Sequence, residues 1–180
     1  MKIVVFAAYF APHVGGYCRN IHELSKRLVA RGHEVTVVTC NTEEAKPEEV
    51  VDGVKVIRLP CFNLVKGQYP VPKFSGQLGE VFRKRDVVLT QTRFFSTSLF
   101  GVFYSWLYRV PLVHVERGTV HTVADSKIVS SFAKMYDHIF GSLVVKYAKR
   151  NVGVSNAACQ FVGHIGGKKT QVIHNGIEVG

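Results

Sequence analysis

The fold is decided by residues 2–40, KIVVFAAYFAPHVGGYCRNIHELSKRLVARGHEVTVVTC. Residues 2–8 are a continuous apolar run of the kind that forms a strand buried on both faces. From residue 17 to 31 apolar side chains recur at helical spacing, and Gly32 supplies a stop signal directly afterwards. Residues 34–40 are rich in β-branched side chains, which favour a second strand. The stretch therefore predicts one complete βαβ unit with parallel strands.

The rest of the chain continues the alternation of strand-like and helix-like segments. Further strands are predicted at residues 54–59, 86–91, 111–116, 151–154 and 170–173, and helices at 77–85, 94–108, 128–150 and from an N-cap at Ser155 to about residue 165. Residues 41–49 are predicted to be a surface connection and 60–77 a long loop. The predicted fold class is α/β, a Rossmann-like doubly wound parallel sheet with helices on both faces.

Composition favours a single domain with a well-buried core. The chain has 180 residues, of which 47% are hydrophobic and 20% charged, as in soluble globular proteins. Its formal net charge of +10 suggests an anionic partner, such as nucleotide-sugar phosphates, acidic lipid headgroups or nucleic acid. The net charge alone does not distinguish among these partners, and a generally basic proteome would explain the charge as well. The basic run 83–85 has no interleaved aromatic residues, so a helix C-terminus is favoured over nucleic acid as its role.

Cysteine and histidine usage indicates a reduced, metal-free protein. The four cysteines, Cys18, Cys40, Cys61 and Cys159, form neither a C-x-x-C pair nor the spacing of a zinc site. The eight histidines lack i, i+4 or acidic pairing, so no metal site is expected. Met1-Lys2 runs directly into a short strand instead of a signal-peptide core. These features predict a cytoplasmic protein.

The least polar segment, residues 94–108, reads FFSTSLFGVFYSWLY. It is shorter than the ~20 residues that a membrane-spanning helix needs. A buried helix is the first interpretation. A helix with one face in a membrane surface is the alternative, which would make the protein peripheral on the cytoplasmic face of the membrane.

The loop between the first strand and helix ends in the glycine pair Gly15-Gly16. Glycines at a helix start turn bare backbone N–H groups toward an anion, and parallel sheets bind their ligands at this edge. The chain lacks both the G-x-G-x-x-G dinucleotide fingerprint and the G-x-x-x-x-G-K-[ST] phosphate loop. The loop therefore predicts a site for a bulky diphosphate and disfavours a nicotinamide-linked oxidoreductase.

These motifs, taken in order, resemble the N-terminal half of retaining glycosyltransferases of the GT-B architecture, specifically glycosyltransferase family 4. The matching segments are Pro12-x-x-Gly15-Gly16, 31–37 (RGHEVTV), 86–88 (DVV), 152–155 (VGVS) and 172–178 (VIHNGIE). The resemblance covers essentially the whole chain. It implies one half of a GT-B fold, in which the N-terminal domain binds the acceptor and its Gly-Gly loop lies near the donor diphosphate.

The resemblance also implies what the full-length protein does. Such enzymes transfer a hexose from a nucleotide-diphosphate sugar to a carbohydrate or lipid-linked acceptor with retention of configuration, usually without a required metal or other cofactor. A C-terminal domain grips the nucleotide sugar and carries two glutamates. Residues 1–174 are accordingly expected to be the acceptor-side domain and 175–180 the start of a linker. Without the second domain, the chain by itself is expected to be inactive.

The chain departs from the family pattern after the fifth predicted strand. Family members commonly carry a His-Gly pair there, whereas this chain has Glu116-Arg117-Gly118, so Arg117 occupies the expected histidine position. His114 lies three residues earlier and faces the opposite side of the strand, so it does not simply substitute. Either Arg117 contacts an anionic acceptor or the donor phosphate, or catalytic competence is altered.

The candidate site residues follow from these positions. They are Arg117 and His114 as catalytic residues, Gly15 and Gly16 for the donor diphosphate, and His13, Arg93, Glu116, Thr119 and His121 for the acceptor. A core role for His114 is the alternative interpretation. A non-catalytic module that binds an anionic glycan or lipid headgroup is the alternative function for the chain.

Overall fold

A computed structural model describes residues 1–64, 69–73, 85–121 and 127–176, with only the backbone described at 127–129. Its first elements are β1 (Lys2–Phe6), α1 (Gly16–Ala30) and β2 (Glu34–Cys40), which confirm the predicted βαβ unit. Helix α1 turns Cys18, Ile21 and Ser25 toward the core. It ends where Gly32 takes a φ of 81°, a left-handed conformation that glycine adopts without steric cost.

Further strands and helical segments extend this unit. The strands are β3 (Glu48–Val51), β4 (Val54–Leu59), β7 (Val87–Gln91), β8 (Leu112–Glu116), β9 (Arg150–Gly153) and β10 (Thr170–Val172), with the separate pair β5 (Cys61–Leu64) and β6 (Tyr69–Pro72). The helices are α2 (Ser96–Tyr108), α3 (Lys127–Tyr136), a π-helix (Asp137–Gly141), α4 (Ser142–Tyr147) and α5 (Asn156–His164). Ser155 caps α5 by accepting a hydrogen bond from the Ala158 N–H, as predicted.

The strands form an eight-stranded sheet in the order β10-β9-β8-β7-β1-β2-β4-β3. All neighbouring pairs are parallel except β3 with β4. From β1 the chain first builds outward through β2 and β4, and then returns to place β7 on the other side of β1. This reversal between β1 and β7 is the topological switch point at which open α/β sheets bind ligands.

The core lies on both faces of the sheet, as the doubly wound fold predicts. Val4 and Phe6 of β1 pack with Val102 and Tyr104 of α2, whereas the alternating residues of β1 pack on the α1 side. That second cluster contains Ile3, Val5, Ala7, Ile21, Val35 and Val37. Because side chains alternate along a strand, one apolar run supplies both layers.

The structure corrects three predictions about local structure. The surface connection 41–49 includes the start of β3, whose hairpin with β4 turns at Asp52 and Gly53, with φ values of 49° and 78°. The long loop 60–77 contains the antiparallel pair β5–β6. The mostly helical stretch predicted at 128–150 contains a π-helix and ends at Tyr147, before the predicted boundary. The helix predicted at 77–85 falls outside the described residues except for its last position.

Helix α2 is partly buried and partly apolar on its exposed side. Val102, Tyr104 and Ser105 are buried, as the first interpretation expects. Phe103, Trp106 and Leu107 are exposed, with 63% of the Trp106 surface accessible. Among the described residues, no helix combines the length and apolar character required to span a bilayer.

Candidate functional site

The loops after β1 and β7 meet at the carboxyl edge of the sheet, at the switch point where open α/β sheets have their ligand-binding crevice. Tyr17, in the first turn of α1, accepts a hydrogen bond from the Ala8 N–H and donates one to the Gln91 carbonyl, at 3.2 and 3.4 Å. Burial raises the pKa of Tyr17 above its usual value, so its hydroxyl stays protonated. The side chain therefore ties the glycine-containing loop to the end of β7.

Gly15 and Gly16 form an open edge of this crevice at the N-terminus of α1. Both are exposed, and a Cβ atom at either position would have no neighbour within 4 Å among the residues that the structure describes. Within the same part of the chain no side chain caps the helix, and its first turn has no acidic residue. The N–H groups of that turn and the positive end of the helix dipole are thus available to an anion from outside.

Three aromatic rings line the crevice beside this edge. Phe95, which follows β7, makes edge contacts with Tyr9 and Tyr17, at ring-centroid distances of 5.7 and 5.8 Å. Thr92, between β7 and Phe95, has a φ of 61°, a strained conformation for a β-branched residue. This turn directs the chain away from the sheet and places Phe95 against the α1 side of the crevice.

Arg117 lies at the end of β8 on the same edge of the sheet. Its guanidinium donates to Asn175 Oδ1 at 3.0 Å and to Gln91 Oε1 at 3.3 Å, and it lies 5.9 Å from the centre of the Tyr17 ring. Burial lowers the pKa of Arg117 from its usual value, against the opposing effects of Tyr17 and Glu116. Arg117 Nε and Gln91 Nε2 are buried and have no hydrogen-bond partner among the described residues. The positive charge of the Arg117 guanidinium at this edge suits a nearby anionic ligand.

Behind Arg117 lies a buried ionic network centred on Arg93. Its guanidinium is 3.1 Å from Glu116 Oε1 and 3.0 Å from Asp137 Oδ2, and it lies 4.1 Å from the centre of the Phe161 ring. The Arg93 side chain is only 2% exposed and both carboxylates are fully buried. Glu116 also accepts hydrogen bonds from the backbone N–H groups of Arg117 and Gly118, at 2.9 and 2.7 Å. The carboxylate thereby fixes the backbone that carries Arg117.

The network bears on the roles predicted for three residues. Arg93 and Glu116 are buried and bonded to each other, so neither side chain is exposed where an acceptor would bind, and their predicted acceptor contacts stay a prediction. His114 is fully buried between Thr90 Oγ1 and Glu116 Oε2, at 2.9 and 3.2 Å. This burial fits the core role given above as the alternative interpretation, and the catalytic role of His114 stays a prediction.

The remaining candidates lie at different places around the crevice. His13 stacks on Tyr9 and pairs with Glu43, so the Tyr9, Phe95 and Tyr17 rings separate it from Arg117. Thr119 is exposed just after Gly118. His121 is bonded to Asp137 at 2.9 Å, on the far side of the Arg93 network. The structure thus groups Gly15, Gly16 and Arg117 around Tyr17 and leaves His13, Thr119 and His121 around the periphery.

The buried carboxylate makes stability depend on pH. Burial alone would raise the pKa of Glu116, but hydrogen bonding and charge from His114, the charge of Arg93 and the Gly118 N–H lower it to about 2. Because the folded pKa lies below the ordinary value of 4.5, this group stabilises the fold above pH 4.5. That contribution, on the order of 3 kcal/mol, is lost as the pH falls from about 5 toward 2.

Urea unfolding at several pH values between 6 and 2 measures this dependence, with Glu116→Gln as the comparison. The variant lacks the titrating carboxyl, so its free energy of unfolding should be lower at pH 6 and should fall less steeply in acid. Parallel curves for the two proteins would show that Glu116 does not have the depressed pKa assigned to it.

Comparison with known proteins agrees with this geometry. The sequence profile of Glycosyltransferase Family 4 matches residues 14–180. The chain belongs to glycosyltransferase family 4. Its fold is that of an N-terminal GT-B domain, as the resemblance implies.

Two curated relatives and two solved structures illustrate the similarity. This family-4 chain is 29% identical to an uncharacterized glycosyltransferase of Methanocaldococcus jannaschii over 99% of its length, and 27% identical to the alpha-monoglucosyldiacylglycerol synthase of Streptococcus pneumoniae over 68%. Anabaena HepE in complex with UDP-glucose superposes on 99% of the chain, with a TM-score of 0.64 and 17% identity. Sucrose-phosphate synthase from Thermosynechococcus elongatus covers 96%, with a TM-score of 0.61 and 15% identity. The chain spans 48% and 27% of the two relatives and 44% and 47% of the two structures.

The candidate site of this family-4 chain contains residues that the sequence prediction overlooks. Tyr17, Gln91 and Asn175 hold or contact Arg117, and Asp137 completes the Arg93 network. Gln91 has a recognisable signal, because a polar residue ends a predicted strand at the ligand-binding edge. Asp137 has no such sequence signal, because its inward orientation depends on the π-helix, which the sequence pattern does not predict.

Proposed function

We propose that the full-length protein transfers a hexose from a nucleotide-diphosphate sugar to an acceptor with retention of configuration, and that this chain is its acceptor-side domain. The observation that carries the proposal is the open Gly15-Gly16 edge at the N-terminus of α1, with Arg117 beside it across Tyr17. HepE, which shares the fold, is described in complex with UDP-glucose, and this supports a nucleotide-sugar donor.

The groups at this edge suit the departure of a diphosphate. When the sugar–phosphate bond breaks, negative charge grows on the diphosphate oxygens. The N–H groups of the first turn of α1, the helix dipole and the Arg117 guanidinium are fixed before reaction and stabilise that charge. Arg117 has only donor groups and no acceptor, so its role is electrostatic and it does not remove a proton from the acceptor.

The nucleotide itself is assigned to a second domain of the full-length protein. The chain spans less than half the length of both relatives, so their remaining length has room for a donor-binding domain. We infer that donor binding requires that domain and that the residues of this chain alone do not turn over. The retaining transfer then takes place between the two domains, with the acceptor bound by the domain that this chain forms.

The experiment that tests this function is a donor screen with the full-length protein. Hydrolysis or transfer is measured with a panel of nucleotide-diphosphate sugars, and the anomeric configuration of the product is read by NMR. Turnover of one donor with retention supports the proposal. Inversion, or absence of turnover with every donor, contradicts it.

We further propose that the acceptor is lipid-linked and is reached at an anionic membrane surface. The specific observation is an apolar face on two adjacent helices, α2 and the segment formed by the π-helix and α4, which meet where Ser105 Oγ lies 3.4 Å from the Tyr147 hydroxyl. The exposed members of this face are Phe103, Trp106, Leu107, Phe140, Leu143 and Tyr147. The exposed bases Arg109, Lys146 and Lys149 lie next to it in sequence.

Apolar side chains flanked by bases suit an interface with acidic headgroups. The glucosyldiacylglycerol synthase among the relatives bears a lipid product in its name, which supports the same acceptor class. The protein is then peripheral on the membrane, and cytoplasmic nucleotide sugar reaches the crevice from the aqueous side.

Flotation with vesicles that contain anionic lipid, at low and high salt, tests the membrane proposal. We expect salt-sensitive binding by the wild type. The double variant Trp106→Ser, Leu107→Ser should reduce the partition coefficient at least about tenfold, because each buried apolar side chain contributes about 1.5–3 kcal/mol.

The control is Val50→Ser, Leu64→Ser, which removes two exposed apolar residues outside the apolar face. It should float like the wild type. Failure of the wild type to float, or equal losses in both double variants, would contradict the membrane proposal. Vesicle binding together with a failed donor screen would instead favour the non-catalytic binding module.

A further inference from the structure

Three histidines that are far apart in the sequence converge beside the Arg93 network. His121 lies in the loop after β8, His138 in the π-helix and His164 at the end of α5. One ring nitrogen from each lies within 4.8 Å of the other two. The ring centroids of His121 and His138 are 5.0 Å apart, and His164 lies 6.0 and 6.1 Å from them. No metal site is expected from the sequence, because the three histidines come from different elements and share no local spacing motif.

His121 has a carboxylate partner of the kind that orients metal-binding histidines. Its Nδ1 is 2.9 Å from Asp137 Oδ2, and a carboxylate at this position accepts the Nδ1 proton. In the neutral ring with its proton on Nδ1, the lone pair lies on Nε2, which is buried and has no hydrogen-bond partner among the described residues. Asp137 is itself fixed by Arg93 at 3.0 Å. This is the arrangement by which proteins orient a metal-ligating imidazole.

We propose that His121 Nε2, His138 and His164 form a binding site for a divalent transition metal of the Zn²⁺ class. Three imidazoles with one open coordination position suit Zn²⁺, Cu²⁺ or Ni²⁺ and do not suit Mg²⁺ or Ca²⁺, which require oxygen ligands. Tetrahedral zinc with Zn–N bonds of about 2.0–2.1 Å needs ligand atoms closer together than they are here. His138 and His164 are exposed, so rotation of their side chains can close the remaining gap.

The local charge is compatible with a bound cation. Glu116 and Asp137 together carry two formal negative charges, which balance the positive charge of Arg93 and any charge that His114 carries beside Glu116. The buried network next to His121 therefore does not repel a divalent ion through uncompensated positive charge. The bound metal would join the loop after β8 to the π-helix and to α5, three segments that also hold Arg93. The site is independent of the transfer reaction, so either proposal can fail alone.

The alternative explanation is aromatic packing, because His121 also makes an edge contact with Phe161 at 4.9 Å. Calorimetric titration of tag-free, chelator-treated protein with ZnCl₂ separates the two explanations. We expect one Zn²⁺ per chain and a higher Tm with zinc than with chelator. In His138→Asn and in His164→Asn we expect affinity to fall at least about 10- to 100-fold and the rise in Tm to disappear. Both residues are exposed, so the variants should fold.

His33→Asn is the matched control, since His33 lies at the N-terminus of β2 and is bonded to the Met1 amino group. It should bind zinc like the wild type. Titration with Co²⁺ gives a second readout, because visible bands of a low-coordinate cobalt site should appear in the wild type and be lost in the two variants. Absence of zinc binding by the wild type, or equal affinity in all four proteins, would overturn the proposal.

Discussion

Arg93→Met is expected to lower the free energy of unfolding by about 3–5 kcal/mol, since it leaves two buried carboxylates without their cation. The methionine can fill much of the space above Phe161, so the loss is mainly electrostatic. Glu116 keeps its bonds to His114 and to the backbone of Arg117 and Gly118, whereas Asp137 loses its arginine partner and keeps the hydrogen bond to His121. Urea or guanidinium denaturation of the purified variant measures the effect.

An exposed ion pair supplies the control for this variant. Lys55 lies 3.3 Å from Glu48, and both side chains are 48% exposed. Lys55→Met should change stability by less than about 1 kcal/mol, as exposed pairs generally do. If Arg93→Met were no more destabilising than Lys55→Met, the ionic network would not support the site in the way we describe.

Gly16→Val in the full-length protein is expected to reduce kcat/KM at least about 100-fold while the fold remains intact. A Cβ at Gly16 would meet no atom of the described residues within 4 Å, so the chain can accommodate the side chain. The branched group would instead occupy the space in front of the α1 N-terminus, where we place the diphosphate. Steady-state transfer assays and a denaturation curve measure the two halves of this prediction.

The matched control is Gly163→Val. Gly163 is an exposed helical glycine of α5, and a Cβ atom added there would likewise have no neighbour within 4 Å in the described part of the chain. This variant should keep wild-type activity. Wild-type activity in Gly16→Val would contradict diphosphate binding at the glycine edge. A loss of folding in Gly16→Val but not in Gly163→Val would show that the glycine edge serves the fold instead of the ligand.

Much of the fold can be predicted from the sequence because its signals are local. The apolar run of β1, the helical spacing of α1 and the β-branched residues of β2 each determine their own element. The β3–β4 hairpin also has a local signal, Asp52-Gly53 between apolar residues, which the prediction of a surface connection overlooks. The position of Gly15 and Gly16 at the ligand-binding edge can also be predicted from the sequence, because the chain leaves β1 at that side of the sheet.

The remainder of the site depends on contacts between distant segments. Whether Glu116 faces a ligand or the core is decided by Arg93, which reaches it from the neighbouring strand end, and by Asp137, which the π-helix turns inward. The close approach of Gly141 to the Arg93 side chain is part of the same packing. No sequence spacing encodes these pairings. The same reason explains why His121, His138 and His164 give no sequence signal although they lie together.

A crystal structure of the full-length protein with its nucleotide-diphosphate sugar would show whether the α1 N-terminus and Arg117 hold the diphosphate. We predict that a diphosphate oxygen lies about 2.7–3.2 Å from the backbone N–H of Gly16, with the Arg117 guanidinium on the same group. A diphosphate bound elsewhere, with the α1 N-terminus and Arg117 both facing solvent, would contradict the account.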